Sequence, residues 1–303
     1  MTTTLVTGEF TPSVLLSLAE RSGRLEQAGL AVRRVPVASS PAQFRSLLAG
    51  DLDIALTSPD NVIAYRFVPD NPLGACADVS IVAAVDRGMG LALYGRPGLN
   101  NAEQLRGAVV GVDVPDSGFA LALYALADSL GVRREEYTLT ALGSTPKRLR
   151  ALLAGDCDAT MLNAGNELVA EAAGCRMLAS AADVCPPYLG TVVSVAGDGN
   201  LLPARRLAAA LRDTARTVVA GELDNEAAAE AVVLLGLDHS LAQRYVARLK
   251  DPREGLVTEE SVDREALGTL IRLRRHYRPT PAEGPDPLAD ALDPDAGLVA
   301  AAA

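Results

Sequence analysis

Residues 39 to 61, SSPAQFRSLLAGDLDIALTSPDN, align without a gap onto residues 144 to 166, STPKRLRALLAGDCDATMLNAGN, at a constant offset of 105. Ten positions are identical in register: Ser39/Ser144, Pro41/Pro146, Arg45/Arg150, Leu47/Leu152, Leu48/Leu153, Ala49/Ala154, Gly50/Gly155, Asp51/Asp156, Asp53/Asp158 and Asn61/Asn166. Chance in an Ala/Leu-rich chain gives a few such matches, so whatever the first copy builds, the second is expected to build again. In each copy a Ser or Thr before proline suits a helix start and the next residues carry helical periodicity. Ala-Gly-Asp then ends the helix ahead of a short apolar strand.

Matching segments precede the two copies. Thr4–Thr7 reads as a strand, Gly8-Glu9-Phe10-Thr11-Pro12 as a loop, Ser13–Gln27 as a helix closed by Gly29, and Ala31–Val37 as a second strand. Val109–Asp113, the loop Val114–Gly118, Phe119–Leu130 closed by Gly131, and Tyr137–Ala141 repeat that order. Strands alternating with helices imply mostly parallel sheets flanked by helices, and two such units imply an α/β chain of two lobes. Ile81–Val85 and Leu91–Tyr94 flank Asp86-Arg87-Gly88-Met89-Gly90, and Tyr188–Val195 leads back, so these are the expected crossings and hinges. The division that follows is residues 1–86 as the first part of lobe one, 87–188 as lobe two, and 189–278 as a return to lobe one. That return carries helices over 203–220, 225–235, 240–250 and 261–276. Beyond Arg278 the chain is rich in Pro, Ala and Asp with little to bury, which predicts a disordered tail over 279–303.

Charge and composition remove several functions. Lys plus Arg number 28 against 38 Asp plus Glu, a formal net charge of −10 and the wrong sign for holding a phosphate backbone, so no nucleic-acid partner is expected. The four cysteines contain no Cys-x-x-Cys pair and only two histidines exist, so no zinc spacing can be written and neither metal nor other cofactor is expected. No run approaches the roughly 18–20 apolar residues of a membrane span, and the start MTTTLVTG lacks the basic and apolar regions of a secretory signal. A cytoplasmic chain without membrane insertion is the expectation as written; a longer, exported gene product would be periplasmic or at the cell surface.

Four stretches, LAERSGRLEQAGLAVRRVPV, LLAGDLDIALTSPDN, IVAAVDRGMGLALYGRPGLNNAEQLRGAVVGVDVPDSGF and LLAGDCDATMLNAGNELVAEAAGC, give the chain a family likeness. Their order and spacing resemble the substrate-binding proteins of ABC importers with the type II periplasmic-binding-protein fold, in the branch handling sulfonates, nitrate and thiamine-pyrimidine precursors. The resemblance spans roughly residues 3 to 276. It implies two lobes that close by hinge motion on a small organic ligand, with an ABC permease as partner if the chain is exported; a ligand that is flat or aromatic and bears an acid or amine is what the cleft residues below suggest. The fold also carries enzymes, among them a sulfinate desulfinase-like group with a cysteine in the first loop and a pyrimidine synthase-like group that consumes a histidine. Gly8–Pro12 holds neither residue. A cytosolic dehydratase, decarboxylase or lyase working through carboxylates and a ligand-sensing regulatory subunit are the alternative readings.

Ligands of open parallel sheets sit outside the carboxyl ends of the strands, so the strand-end loops define the candidate site. Ser39-Ser40, Ser117-Gly118 and Ser144-Thr145 run into helix N-termini, whose free N–H groups suit a carboxylate, sulfonate or phosphate; each hydroxyl would serve equally as a cap for its own helix. Gly8 and Glu9 belong to the first loop. Ser58, Asp60 and Asn61 close the first repeat and Asn163 lies at the matching point of the second, where a first-turn acid and a turn asparagine are also ordinary local chemistry. Asp86 and Arg87 lie on the first crossing, with a hinge ion pair as the plain alternative. Phe10, Phe119 and Tyr188 favour a flat or apolar ligand body, although burial in a core explains any one ring as well. Glu9, Asp86, Asp113 and Asp116 against one arginine hint at an amine or other donors on the ligand. His239 and His276 are far from these loops and Cys157 sits in an apolar strand, so no catalytic residue is expected.

Overall fold

The computed structural model of the chain describes residues 2–279 and 285–301. Strand β1 (Thr3–Glu9) leads to α1 (Val14–Arg21), capped by the Ser13 hydroxyl on the Leu16 N–H, and to the short α2 (Arg24–Gln27). The single helix expected over 13–27 is thus broken at Gly23. β2 (Leu30–Pro36), α3 (Ser40–Ala49), β3 (Ile54–Thr57), α4 (Pro59–Phe67) and β4 (Val79–Asp86) complete the first pass. The second contains β5 (Ala92–Gly95), β6 (Val109–Val112), α5 (Gly118–Ser129), β7 (Thr138–Ala141), α6 (Thr145–Ala154), β8 (Ala159–Leu162), α7 (Asn166–Ala172), β9 (Arg176–Ser180) and α8 (Ala181–Val184). β10 (Thr191–Ala196) returns, followed by α9 (Leu201–Val219), α10 (Asp224–Leu235), α11 (His239–Lys250) and α12 (Arg264–Tyr277).

Two five-stranded sheets share one plan, β2-β1-β3-β10-β4 and β7-β6-β8-β5-β9. In each, the first three strands are parallel, while β10 or β5 runs antiparallel to both of its neighbours. The reversed strand is the one that arrives from the other lobe, so each sheet is completed by a crossing segment. The two repeat copies take corresponding places, α3-β3-α4 in one lobe and α6-β8-α7 in the other. Their identities have physical causes. Gly50 and Gly155 end their helices at φ 79 and 81, a left-handed conformation that a side chain resists. Asp53 and Asp158, just ahead of β3 and β8, each accept an N–H of the neighbouring parallel strand, from Val6 and Val109, at 2.8 Å.

Helices α9 and α10 pack on lobe one, burying Leu207, Leu211, Val218 and Ala227 with Leu15, Leu18 and Ile54. The other two do not stay there. α12 buries Leu267, Leu270 and Ile271 in a cluster shared with Leu121 and Leu123 of α5 and Val62 and Ile63 of α4, so it spans both lobes. α11 reaches lobe two through an ion pair from Arg244 to Glu171 of α7. Their connection adds a third crossing, with the Arg87 and Met89 N–H groups donating to the Gly255 and Glu254 carbonyls at 2.9 and 2.7 Å.

The expected disordered tail needs correction. Residues 280–284 lie outside the described residues, but residues 285–301 fold back, burying Leu288, Ala291 and Leu298 in the main core. The Ile81 N–H donates to the Leu298 carbonyl and the Ala300 N–H to the Ile81 carbonyl, both at 2.8 Å, extending the lobe-one sheet beyond β4. A Pro- and Asp-rich composition hid a segment that covers an otherwise open strand edge.

Candidate functional site

The carboxyl ends of β1, β3, β6 and β8 face one another across the cleft and, with the crossings, bound a cavity of about 120 Å³. A comparable apolar cavity of about 150 Å³ admits benzene. Glu9, Phe10, Thr57, Ser58 and Asn61 line it from lobe one, and Asp113, Ser117, Gly118, Phe119, Thr145, Arg148 and Asn163 from lobe two. Asp86, Met89 and Thr191 come from the crossings, and Tyr245 and Leu249 from α11.

Of the residues singled out from the sequence, Glu9, Phe10, Ser58, Asn61, Asp86, Ser117, Gly118, Phe119 and Asn163 are brought together on this lining. Seven others are not, each for a local reason. Gly8 lies within β1 with its carbonyl accepting the Gln43 Nε2 donor at 3.0 Å. Ser39 caps α3 through the Ala42 N–H, and the Ser40 N–H is engaged by Asp113 Oδ2 at 3.1 Å. The Ser144 N–H donates to the Ala38 carbonyl of the opposite lobe at 3.2 Å. Asp60 is 1% exposed and grips Arg274 of α12, accepting from Nε at 2.9 Å and from Nη2, and the same Nη2 donates to the Asp116 carbonyl of lobe two. Arg87 turns away to Glu259 and the Leu256 carbonyl, so no hinge pair with Asp86 forms. Tyr188 is buried in the core behind Gly88.

The lobes are in contact across the cleft. A Cβ on Gly118, the first residue of α5, would stand 2.6 Å from Ser58 Oγ, so glycine there permits the approach. Across the crossing, the Asn163 amide donates to the Gly88 carbonyl at 3.1 Å and the Ala164 N–H to the Met89 carbonyl at 2.9 Å. Met89 and Ala164, at φ 52 and 55, are the two positive-φ residues other than glycine among the described residues, and both line the cavity. Backbone strain of this kind persists where surrounding contacts fix it and concentrates at binding sites.

Sequence reasoning missed Arg148, Met89, Tyr245 and Leu249. For Arg148 the repeat held the signal, because it aligns with Gln43, another polar residue on a buried helix face. The two do the same work: Gln43 donates to the Leu56 carbonyl and Arg148 to that of Met161, the matching strand residue. Arg148 also donates to the Gly143 carbonyl and Thr145 Oγ1. Burial lowers its pKa to about 10, against the opposing charge of Asp113, which leaves it protonated at neutral pH. Tyr245 and Leu249 gave no such signal, since α11 meets the cleft only through long-range packing.

Burial pushes the Glu9 carboxyl up, opposed by the Ser13 N–H at 3.0 Å and by Arg34. It does the same to Asp86, opposed by Thr191 and the Gly88 N–H. Asp113 Oδ1 and Ser58 Oγ are buried on the lining with no hydrogen-bond partner. No histidine or cysteine lines the cavity, the four cysteines are free, and among the described residues no His, Cys, Asp and Glu side chains group so as to hold a metal ion. No described helix is long and apolar enough to cross a membrane. Such a lining can hold a small molecule by rings and hydrogen bonds.

No family model matches the sequence, and no curated protein matches it. Solved structures do match. The chain is similar to the alkanesulfonate-binding protein SsuA from Xanthomonas axonopodis pv. citri bound to MOPS, with a TM-score of 0.72 and 17% identity, covering 92% of this chain and 94% of that one. It is similar to a Candida albicans protein exhibiting the generic periplasmic binding protein fold, at 0.71 and 15% identity over 98% and 95% of the two chains. A ligand-binding component of an ABC-type import system from Staphylococcus aureus gives 0.70 and 15% over 92% and 94%. Two sheets of one plan, joined by crossings around a central cleft and matched along nearly their whole length by these structures, are the two-lobed α/β architecture of the periplasmic binding proteins, and that is the fold of this chain.

Proposed function

We propose that the chain is a solute receptor that closes its two lobes on a small organic molecule held in the cleft cavity. The observation that carries this reading is a cavity walled by both lobes, with the half-buried Phe10 of lobe one and Phe119 of lobe two on its lining. Phe10 belongs to no core cluster and Phe119 only abuts one, so part of each ring is left for another contact. A flat or apolar ligand body between the rings, with its polar groups toward Asn61, Asp86 and Asn163, suits that lining. Import-system ligand-binding components among the structural neighbours support the same role, and export would give the receptor an ABC permease as partner.

A melting-temperature screen over amino acids, sulfonates, pyrimidines, and aromatic acids and amines tests it. A cognate ligand adds about 2.7 kcal/mol at a hundredfold excess over Kd. Phe10→Ala and Phe119→Ala should each weaken that ligand by about 1–3 kcal/mol, while ligand-free melting moves less than for a core Phe→Ala, which costs about 3–5 kcal/mol. Unchanged affinity with a large loss of ligand-free stability returns both rings to the core and contradicts the reading.

A further inference from the structure

The charged groups on the cavity wall each make hydrogen bonds within the fold. Arg148 donates through Nε, Nη1 and Nη2 to the Met161 and Gly143 carbonyls and Thr145 Oγ1. Asp86 Oδ1 accepts from the Gly88 N–H, and Glu9 Oε2 from the Ser13 N–H. The N-termini of α3 and α4, which could hold an anion, already have protein carboxylates: Asp113 on the Ser40 N–H, and Asp60 in the first turn of α4.

Asp113 differs. It follows β6, is 7% exposed, and divides its carboxylate between two tasks. Oδ2 reaches across the cleft to the first residue of α3, while Oδ1 is buried on the cavity wall without a partner. Across from it Ser58 Oγ is another buried oxygen without a partner. The Asp113 carboxylate oxygen can only accept, whereas the Ser58 hydroxyl can accept or donate, so Asp113 is the group that sets which ligand atoms fit. The wall carries three carboxyl groups, Glu9, Asp86 and Asp113, and one guanidinium. An incoming sulfonate or carboxylate would add acceptors and negative charge, whereas a protonated amine or amidine supplies both missing complements.

We propose that Asp113 is the specificity-determining residue of this cavity: its Oδ1 receives an N–H of a protonated amino or amidino group on the ligand, while Oδ2 on the Ser40 N–H ties that recognition to contact between the lobes. The inference rests on the receptor reading and narrows it to a cationic, donor-bearing ligand.

Benzylamine and benzamidine against benzoate, benzenesulfonate and benzyl alcohol, titrated by calorimetry into wild type, Asp113→Asn and Asp113→Glu, test it. The asparagine keeps an oxygen for the Ser40 N–H, so ligand-free melting should change little. The two cations should bind the wild type in preference to the three matched compounds. Their affinity should fall about tenfold to hundredfold in Asp113→Asn, the scale of a lost hydrogen bond between charged groups. Asp113→Glu, which keeps the charge and moves it, should retain the preference for cations at reduced affinity. Benzoate or benzenesulfonate binding the wild type and Asp113→Asn equally overturns the role of Asp113 and leaves the receptor reading standing. A wild type indifferent to both cations also overturns it, and the receptor reading is then decided separately by whether the protein retains a molecule of its own.

Discussion

Glu167 of α7 is a fully buried carboxyl whose partners are too few for its charge. Oε2 accepts the Gly165 N–H at 2.8 Å, Oε1 has no partner, and the nearest cation, Arg248, stands 4.0 Å away and is itself paired with Glu254. Burial pushes its pKa up to about 7 from an ordinary 4.5. A raised carboxyl pKa favours the folded state most below the unfolded value, and that contribution is lost as pH climbs through the folded one. The protein should therefore lose up to about 3 kcal/mol from this group between pH 4.5 and 8, and Glu167→Gln should flatten the dependence. Urea midpoints across that range check it; an equal slope in both proteins contradicts it. The residue scale is also where the sequence was least legible. Asp60 looked like a ligand group because an acid at a helix start is compatible with either role, and only α12, 214 positions away, decides for Arg274. Arg148 could have been found by asking why Gln43 and its repeat partner are both polar.

At the scale of elements, α12 is the strap between the lobes. Arg274, 3% exposed, joins Asp60 of α4 to the Asp116 carbonyl before α5, and Tyr277 donates to Asp128 of α5 at 2.6 Å. Arg274→Ala leaves Asp60 buried and alone, which should cost about 3–5 kcal/mol. The paired change Arg274→Met with Asp60→Leu should recover most of it, as read from chemical denaturation of the full set. Recovery that fails would mean that the bond to Asp116, not the charge pair, carries the effect. The C-terminal segment makes a second case. Truncation after Arg278 removes Leu288, Ala291 and Leu298 from the core and uncovers the Ile81 edge, so melting should fall by roughly 5 °C; an unaltered midpoint would make residues 285–301 an appendage. Helices and strands were legible because periodicity and caps are local. This segment was not, because its three apolar side chains are separated by Pro and Asp and are recruited by strands more than 200 residues away.

The molecule as a whole stands with its lobes together. The Ser40 N–H meets Asp113, the Ser144 N–H meets the Ala38 carbonyl, and the Asn166 amide reaches Thr11 Oγ1 at 3.4 Å. Three crossings and two helices join the halves, more than the two crossings the sequence led one to expect. The bilobal plan could be read from the repeat, since a duplicated helix-strand-helix unit needs a second sheet to complete it. The strand-end loops were likewise legible, because parallel β-strands put their carboxyl ends at one edge. The identity of the occupant was not, since the cavity's character depends on which polar atoms the fold leaves unmatched. Native mass spectrometry of the protein purified gently from its own host measures that occupancy directly. A discrete added mass, from a molecule around the size of benzene or somewhat larger, should accompany the folded protein, vanish on denaturation, and be missing from the Phe10→Ala/Phe119→Ala variant. A wild-type protein that carries only its polypeptide mass, or an adduct that survives in the double variant unchanged, would contradict a receptor that holds its ligand between these two rings.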